Sequence, residues 1–167
     1  MTWRAAGWVV VDKSPAELRQ AVEDTLDEIG PMSGYRPTGF GDVSFALGDT
    51  KGGAALWDPI GKLAFGPRGE DLRRALSRGT RLVAFQVNSE SEKHGVRVYE
   101  DGEPVRVVEI ESGRVVRESG DVLPVEAGIP PRIVGRDEDW VFDLLEKATG
   151  VAFSDLGNAR YELFDLA

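Results

Sequence analysis

The chain has 167 residues, of which 41% are hydrophobic and 29% charged, and its net charge is −9. That length suits a single domain over 1–167, able to bury about 70% of its unfolded surface without a covalent staple, and the composition is globular, far from a disordered one. With no cysteine and one histidine, disulfides, thiolate nucleophiles, Cys-ligated zinc or iron–sulfur centres and two-histidine metal sites are excluded.

The first element is the apolar run Trp8-Val9-Val10-Val11, a strand buried on both faces. Asp12 and Lys13 close it too early for a signal-peptide core, and no run approaches the ~20 apolar residues of a membrane span. A cytoplasmic protein is expected. Ser14-Pro15-Ala16-Glu17 then forms a capping box with proline at the first helical position. Leu18, Ala21, Val22, Thr25, Leu26 and Ile29 follow at spacings of three and four, so a helix spans about 15–29 and ends at Gly30-Pro31.

Residues 32–41 read as irregular. Val43, Phe45 and Leu47 alternate with polar or small residues as a half-buried strand, 48–53 is a turn, and Ala54–Trp57 is its returning strand, stopped at Asp58-Pro59. A short helix is expected over Glu70–Ser77, with Leu72, Ala75 and Leu76 inward. From residue 81 the period changes to two. Leu82–Val87 is a central strand, and Val96 and Val98 lead to a hairpin turn at Asp101-Gly102. A parity slip near Val105–Ile110 predicts a bulge or two-faced burial. Ser112-Gly113 is a second tight turn, and residues 114–118 return. A proline-rich connection covers 120–135. The last helix spans about 137–149, capped by Asp137 and ended by Gly150, and a final short strand uses Ala152-Phe153 and Tyr161–Phe164.

This order predicts an α+β single domain. It is a twisted antiparallel sheet, with its central meander at about 81–118 and the two main helices packed on one face around one core. The other face is expected to be partly wet. It would carry an ion-pair ladder of Arg97, Arg106, Glu109, Glu111, Arg114, Arg117 and Glu118.

Motifs for chemistry are sparse. His94, in Ser91-Glu92-Lys93-His94-Gly95, reads as a surface hairpin residue; triad catalysis needs it well placed and oriented by a carboxylate. Gly39-Phe40-Gly41 precedes a strand where a dinucleotide loop precedes a helix, and the 48–53 turn lacks the Gly-Lys-Ser/Thr ending of a phosphate loop. No cofactor and no metal are expected. The acidic surplus repels a phosphate backbone, so nucleic acid is not expected either.

Two candidate binding regions remain. One is a corner near Tyr35, Phe40, Asp42, Trp57 and Asp58, where a tryptophan beside a carboxylate suits a small ligand or carboxylate-dependent hydrolysis. The other is the charged sheet face with Arg97, Tyr99 and Arg106. In size, acidity and α+β pattern the chain resembles small bacterial proteins that act by binding, immunity proteins of toxin systems among them, with no shared motif. The leading expectation is therefore a non-enzymatic protein-binding module. Its partner would be a protein with a basic surface, or a second copy meeting it through an exposed strand edge.

Overall fold

The computed structural model describes residues 4–29, 32–35, 45–58, 61 and 63–166. In chain order the elements are β1 (Arg4–Val11), α1 (Pro15–Ile29), β2 (Met32–Tyr35), β3 (Phe45–Thr50), β4 (Gly53–Trp57), α2 (Glu70–Leu76), β5 (Arg81–Asn88), β6 (Lys93–Glu100), β7 (Glu103–Glu111), β8 (Arg114–Ser119), α3 (Asp137–Thr149), α4 (Phe153–Asn158) and β9 (Tyr161–Leu166). Short 3-10 turns lie at Pro67–Gly69 and Pro124–Gly128.

The nine described strands form one sheet in the order β2-β9-β3-β4-β1-β5-β6-β7-β8, and every neighbouring pair is antiparallel. The valine run of β1 explains its central place: a strand apolar on both parities must be covered on both faces. Trp8 and Val10 point to one face, where they meet Leu18 and Val22 of α1 and Leu72 and Leu76 of α2. Ala5 and Val9 point to the other, against Val141, Leu144, Leu145 and Ala148 of α3 and Leu156 of α4.

The α+β class and both main helices agree with the sequence reading, but the helices do not share a face. They lie on opposite faces, and the sheet separates two hydrophobic cores where one was expected. The two-sided burial of β1 requires this, since helices on one face alone would leave Val9, Val83 and Phe85 in water.

The capping box is formed as expected. Ser14 N donates to Glu17 Oε2 across 2.8 Å, and Glu17 N donates to Ser14 Oγ across 3.2 Å. Burial of Leu18 and Val22 then stabilises α1 by about 1.5–3 kcal/mol for each side chain. Asp137 is the first residue of α3, where a cap was expected; the N-cap is Arg136, and the Asp137 carboxylate accepts from Arg132. Gly150 ends α3 in the left-handed region at φ 77°. Phe153 belongs to α4, not to a strand.

Both predicted hairpin turns have two left-handed residues, Asp101 (φ 49°) with Gly102 (82°) and Ser112 (50°) with Gly113 (77°). This twist matches that of the flanking strands. Both expected origins of the parity slip are present: Val98 faces Arg106 and Tyr99 faces Pro104, which leaves Val105 as the extra residue of a bulge, and Val107 and Val108 are buried on opposite faces. A second bulge places Val116 between the pairs Glu109–Arg117 and Ile110–Val115.

Candidate functional site

Trp57 and Asp58 are adjacent but serve different sides of the sheet. Trp57 ends β4 on the α3 face, with its ring centroid 6.3 Å from that of Phe85 and 6.1 Å from that of Phe153. Asp58 is buried and its carboxylate accepts three backbone amides, from Gly61 (3.1 Å), Leu63 (2.6 Å) and Ala64 (2.9 Å). These bonds hold the backbone of Gly61, Leu63 and Ala64 against Asp58, so that Leu63 and Ala64 enter the core beneath α1 and α2. The backbone of Tyr35 is in β2, paired with Phe164 of β9. Phe40 and Asp42 lie outside the described residues.

The expected ladder is divided between the two faces by the Val105 bulge. Arg97, Glu109 and Arg117 share the α1/α2 side, with Arg97 Nη2 2.9 Å and Arg117 Nη1 3.7 Å from Glu109 Oε1. The Arg97 guanidinium also lies 4.6 Å above the Phe65 ring. Phe65 gets there because Gly95 has no side chain: a Cβ at Gly95 would come within 2.9 Å of the ring.

Arg106 is on the opposite face and is only 5% exposed. Its Nε and Nη2 donate to the two Glu126 carboxylate oxygens (3.0 and 2.9 Å), Nη2 also donates to Glu118 (2.8 Å), and Nη1 donates to the Gly120 carbonyl (3.2 Å). It clamps the 120–128 connection onto the sheet.

Tyr99 shares a face with Arg97 but is buried in the core. Its hydroxyl donates to Glu70 Oε2 (2.6 Å) and accepts from Arg73 Nε (3.0 Å). Arg73 has no exposed surface; it also donates to the carbonyls of Leu63 and Gly66 and to Glu70. Burial raises the Tyr99 hydroxyl above its ordinary value, and the bond to Glu70 adds to this. Burial would also raise Glu70, but donation from Tyr99, Arg73 and Arg74 outweighs it and holds the carboxyl below its usual range. Sequence pattern does not find Arg73, which looks like one more arginine on a short helix.

His94 is the largest correction at the level of a single residue. It is 6% exposed, set between Val87 of β5 and Ile110 of β7 on the α3 face. Its Nε2 lies 3.9 Å from Glu138 Oε2 and its Nδ1 has no hydrogen-bond partner. Burial holds the imidazole below its ordinary value against the carboxylates of Glu138, Asp137 and Glu92, which pull it up. His94 lines a cleft of about 270 Å³ with Glu92, Ser112, Val134, Asp137 and Glu138. The nearby Arg132 donates to both the Gly113 carbonyl (2.8 Å) and Asp137, tying the 130–136 connection to the β7–β8 turn. The parity of His94 with Val96 and Val98 was the only sequence signal for its burial.

β8 is the outer strand. It pairs with β7 alone, and all six of its residues are exposed. The large apolar side chains exposed among the described residues are Val115, Val116, Val122, Ile133 and Val134, from 42% to 74%. Two lie on β8 and Val122 follows it. Val134 lies close enough to the β7–β8 turn that a Cβ on Gly113 would come within 3.0 Å of it.

Among the described residues no three His, Cys, Asp or Glu groups converge to hold a metal, and no helix is long and apolar enough to cross a membrane. The fold and these surfaces define an antiparallel α+β sheet protein with helices on both faces and an exposed edge at β8 that carries two valines. Comparison with known proteins finds no matching family model, curated protein or solved structure.

Proposed function

We propose that the protein is a non-enzymatic protein-binding module that takes an extended segment of a partner on the β8 edge. The observation that carries this reading is the placement of exposed valines at the β8 edge: Val115 and Val116 on the strand, Val122 just after it and Val134 against the β7–β8 turn. Scattered apolar residues are ordinary on a protein surface, but a cluster beside a strand whose outer edge is unpaired suits strand addition. The bulge at Val116 twists this edge, which limits an added strand to a short segment. The net charge of −9 would steer a partner with a basic surface toward the molecule.

The test compares the wild type with a V115K/V116K variant, using partner capture followed by hydrogen exchange on the captured complex. The reading requires capture to be lost in the variant and the amides of 114–119 to gain protection in the wild-type complex. An identical partner profile for both proteins, or protection confined to another element, would overturn it.

A second copy of the chain is the other occupant that an observation favours. Antiparallel self-pairing about Val116 would set Arg114 of each copy opposite Glu118 of the other, on the side of β8 away from Glu111, which faces Arg114 in β7. Light scattering across a concentration series tests this: a dimer that R114E dissociates supports it, and a monomer throughout removes it. A carboxylate-dependent hydrolase or small-molecule binder near Trp57 and Asp58 draws less support, since the Asp58 oxygens are engaged by three amides of its own loop.

A further inference from the structure

We propose that the cleft between the β5–β6 loop, the β7–β8 turn and the start of α3 binds an organic cation, an alkylammonium or guanidinium head group, between His94 and Glu138. Three observations meet there. The His94 ring is almost wholly buried, yet Nδ1 has no partner and Nε2 stands 3.9 Å from Glu138, too far for a hydrogen bond. A buried polar group without a partner is costly, and native proteins rarely keep one without a use.

The cleft carboxylates are also undercompensated. Asp137 is paired with Arg132, but neither Glu92 nor Glu138 is paired with a lysine or arginine among the described residues. Finally, the space of about 270 Å³ accommodates the end of a long basic side chain, with the Ser112 hydroxyl at its rim.

The chemistry favours a cation with several N–H donors. An imidazole held neutral by burial offers one acceptor nitrogen, and Glu138 beside it offers carboxylate oxygens. A group donating to both Nε2 and Glu138 would bridge the 3.9 Å between them, with the ring proton carried on the enclosed Nδ1. A metal ion fits less well, because no three ligating side chains converge among the described residues. An anion would meet Glu92 and Glu138 unscreened. Protonation of His94 would place a positive charge where the ligand's charge must sit, so binding would weaken as pH falls. The charged groups around the ring are Glu138 and Asp137 from α3, Glu92 from the β5–β6 loop, and Arg132 paired with Asp137 from the connection.

The cleft borders the β8 edge at Val134 and the β7–β8 turn, but His94, Glu138 and Glu92 lie off β8 and V115K/V116K leaves them unchanged, so either reading can fail alone. His94 is the only histidine in the chain, so its ring resonances report on the site without ambiguity. The experiment follows them by NMR while N-acetyl-arginine amide is added as a mimic of a protein side chain, and 1,4-diaminobutane as a free amine. At least one probe is expected to give a saturable shift and to lower the apparent pKa of His94, because it binds the neutral ring preferentially. The stronger probe indicates the source of the cation. E138Q should weaken that binding about tenfold. E92Q gives a second comparison on a different element should E138Q lose the native amide spectrum. No saturable shift with either probe would overturn the proposal, as would an equal response to neutral N-acetylglycine amide or affinities unchanged in both variants.

Discussion

Arg73 Nε donates to the hydroxyl of Tyr99 across 3.0 Å in a place where neither side chain is open to solvent. The pair joins α2 to β6, and with Glu70 it anchors the loop carbonyls of Leu63 and Gly66. One buried cation therefore organises the α2 end of one face.

Truncation of Arg73 would leave the carbonyls of Leu63 and Gly66 without this donor and remove one of the three donors to Glu70 and the one Tyr99 accepts from. R73A is expected to cost about 3–5 kcal/mol, the range for breaking a buried charged network. Y99F removes only one hydroxyl and should cost about 1–3 kcal/mol. Urea denaturation followed by circular dichroism measures both; equal costs would show that the hydroxyl, and not the guanidinium, is the organising group.

Asp58 holds the amides of Gly61, Leu63 and Ala64. D58A should destabilise the protein by about 2–3 kcal/mol through buried amides left without an acceptor. Hydrogen exchange gives the local signature. The Leu63 and Ala64 amides should lose protection before those of the central strands β1 and β5. Unchanged exchange at Leu63 and Ala64 would remove the loop-holding role.

Arg106 ties the 120–128 connection to the sheet through Glu126, Glu118 and Gly120. R106A should cost about 3–5 kcal/mol, because the buried Glu126 carboxylate loses its counter-charge. Limited proteolysis should cut first within 120–128. A first cut elsewhere would show that other contacts hold the segment.

Two groups contribute at opposite ends of the pH–stability profile, alongside Glu70 on the acidic side and Tyr99 on the alkaline side. Burial lowers His94 from its ordinary 6.5, so between its folded value and 6.5 the unfolded chain binds more protons. Its contribution is complete above pH 6.5 and is lost as pH falls through the folded value. Burial raises Tyr161 from 10.0 to about 12, so there the folded chain holds its proton longer. That contribution is complete below pH 10.0 and is lost as pH rises toward about 12. Stability measured in urea across both windows should fall at each end. H94Q should flatten the acidic limb and Y161F the alkaline one.

What depends on neighbours along the chain is legible in the residues alone. The Ser14–Glu17 box, the stripe of α1, the two Asp-Gly and Ser-Gly turns and the alternation of the meander are local patterns, and the structure contains each of them. The valines of β1 already implied burial on both faces. Two features are settled by packing alone: the parity carried across a bulge, and which helix covers which face. One extra residue at Val105 turns Arg106 away from Arg97 and buries it against Glu126. The insertion of β9 between β2 and β3 joins the chain's end to its beginning, which no local pattern signals. The same limit applies to the candidate sites. Arg73 and His94 read as polar surface residues until packing from α2, α3 and the loops removes water from around them, because burial is a property of what is stacked above a residue and not of the residues beside it.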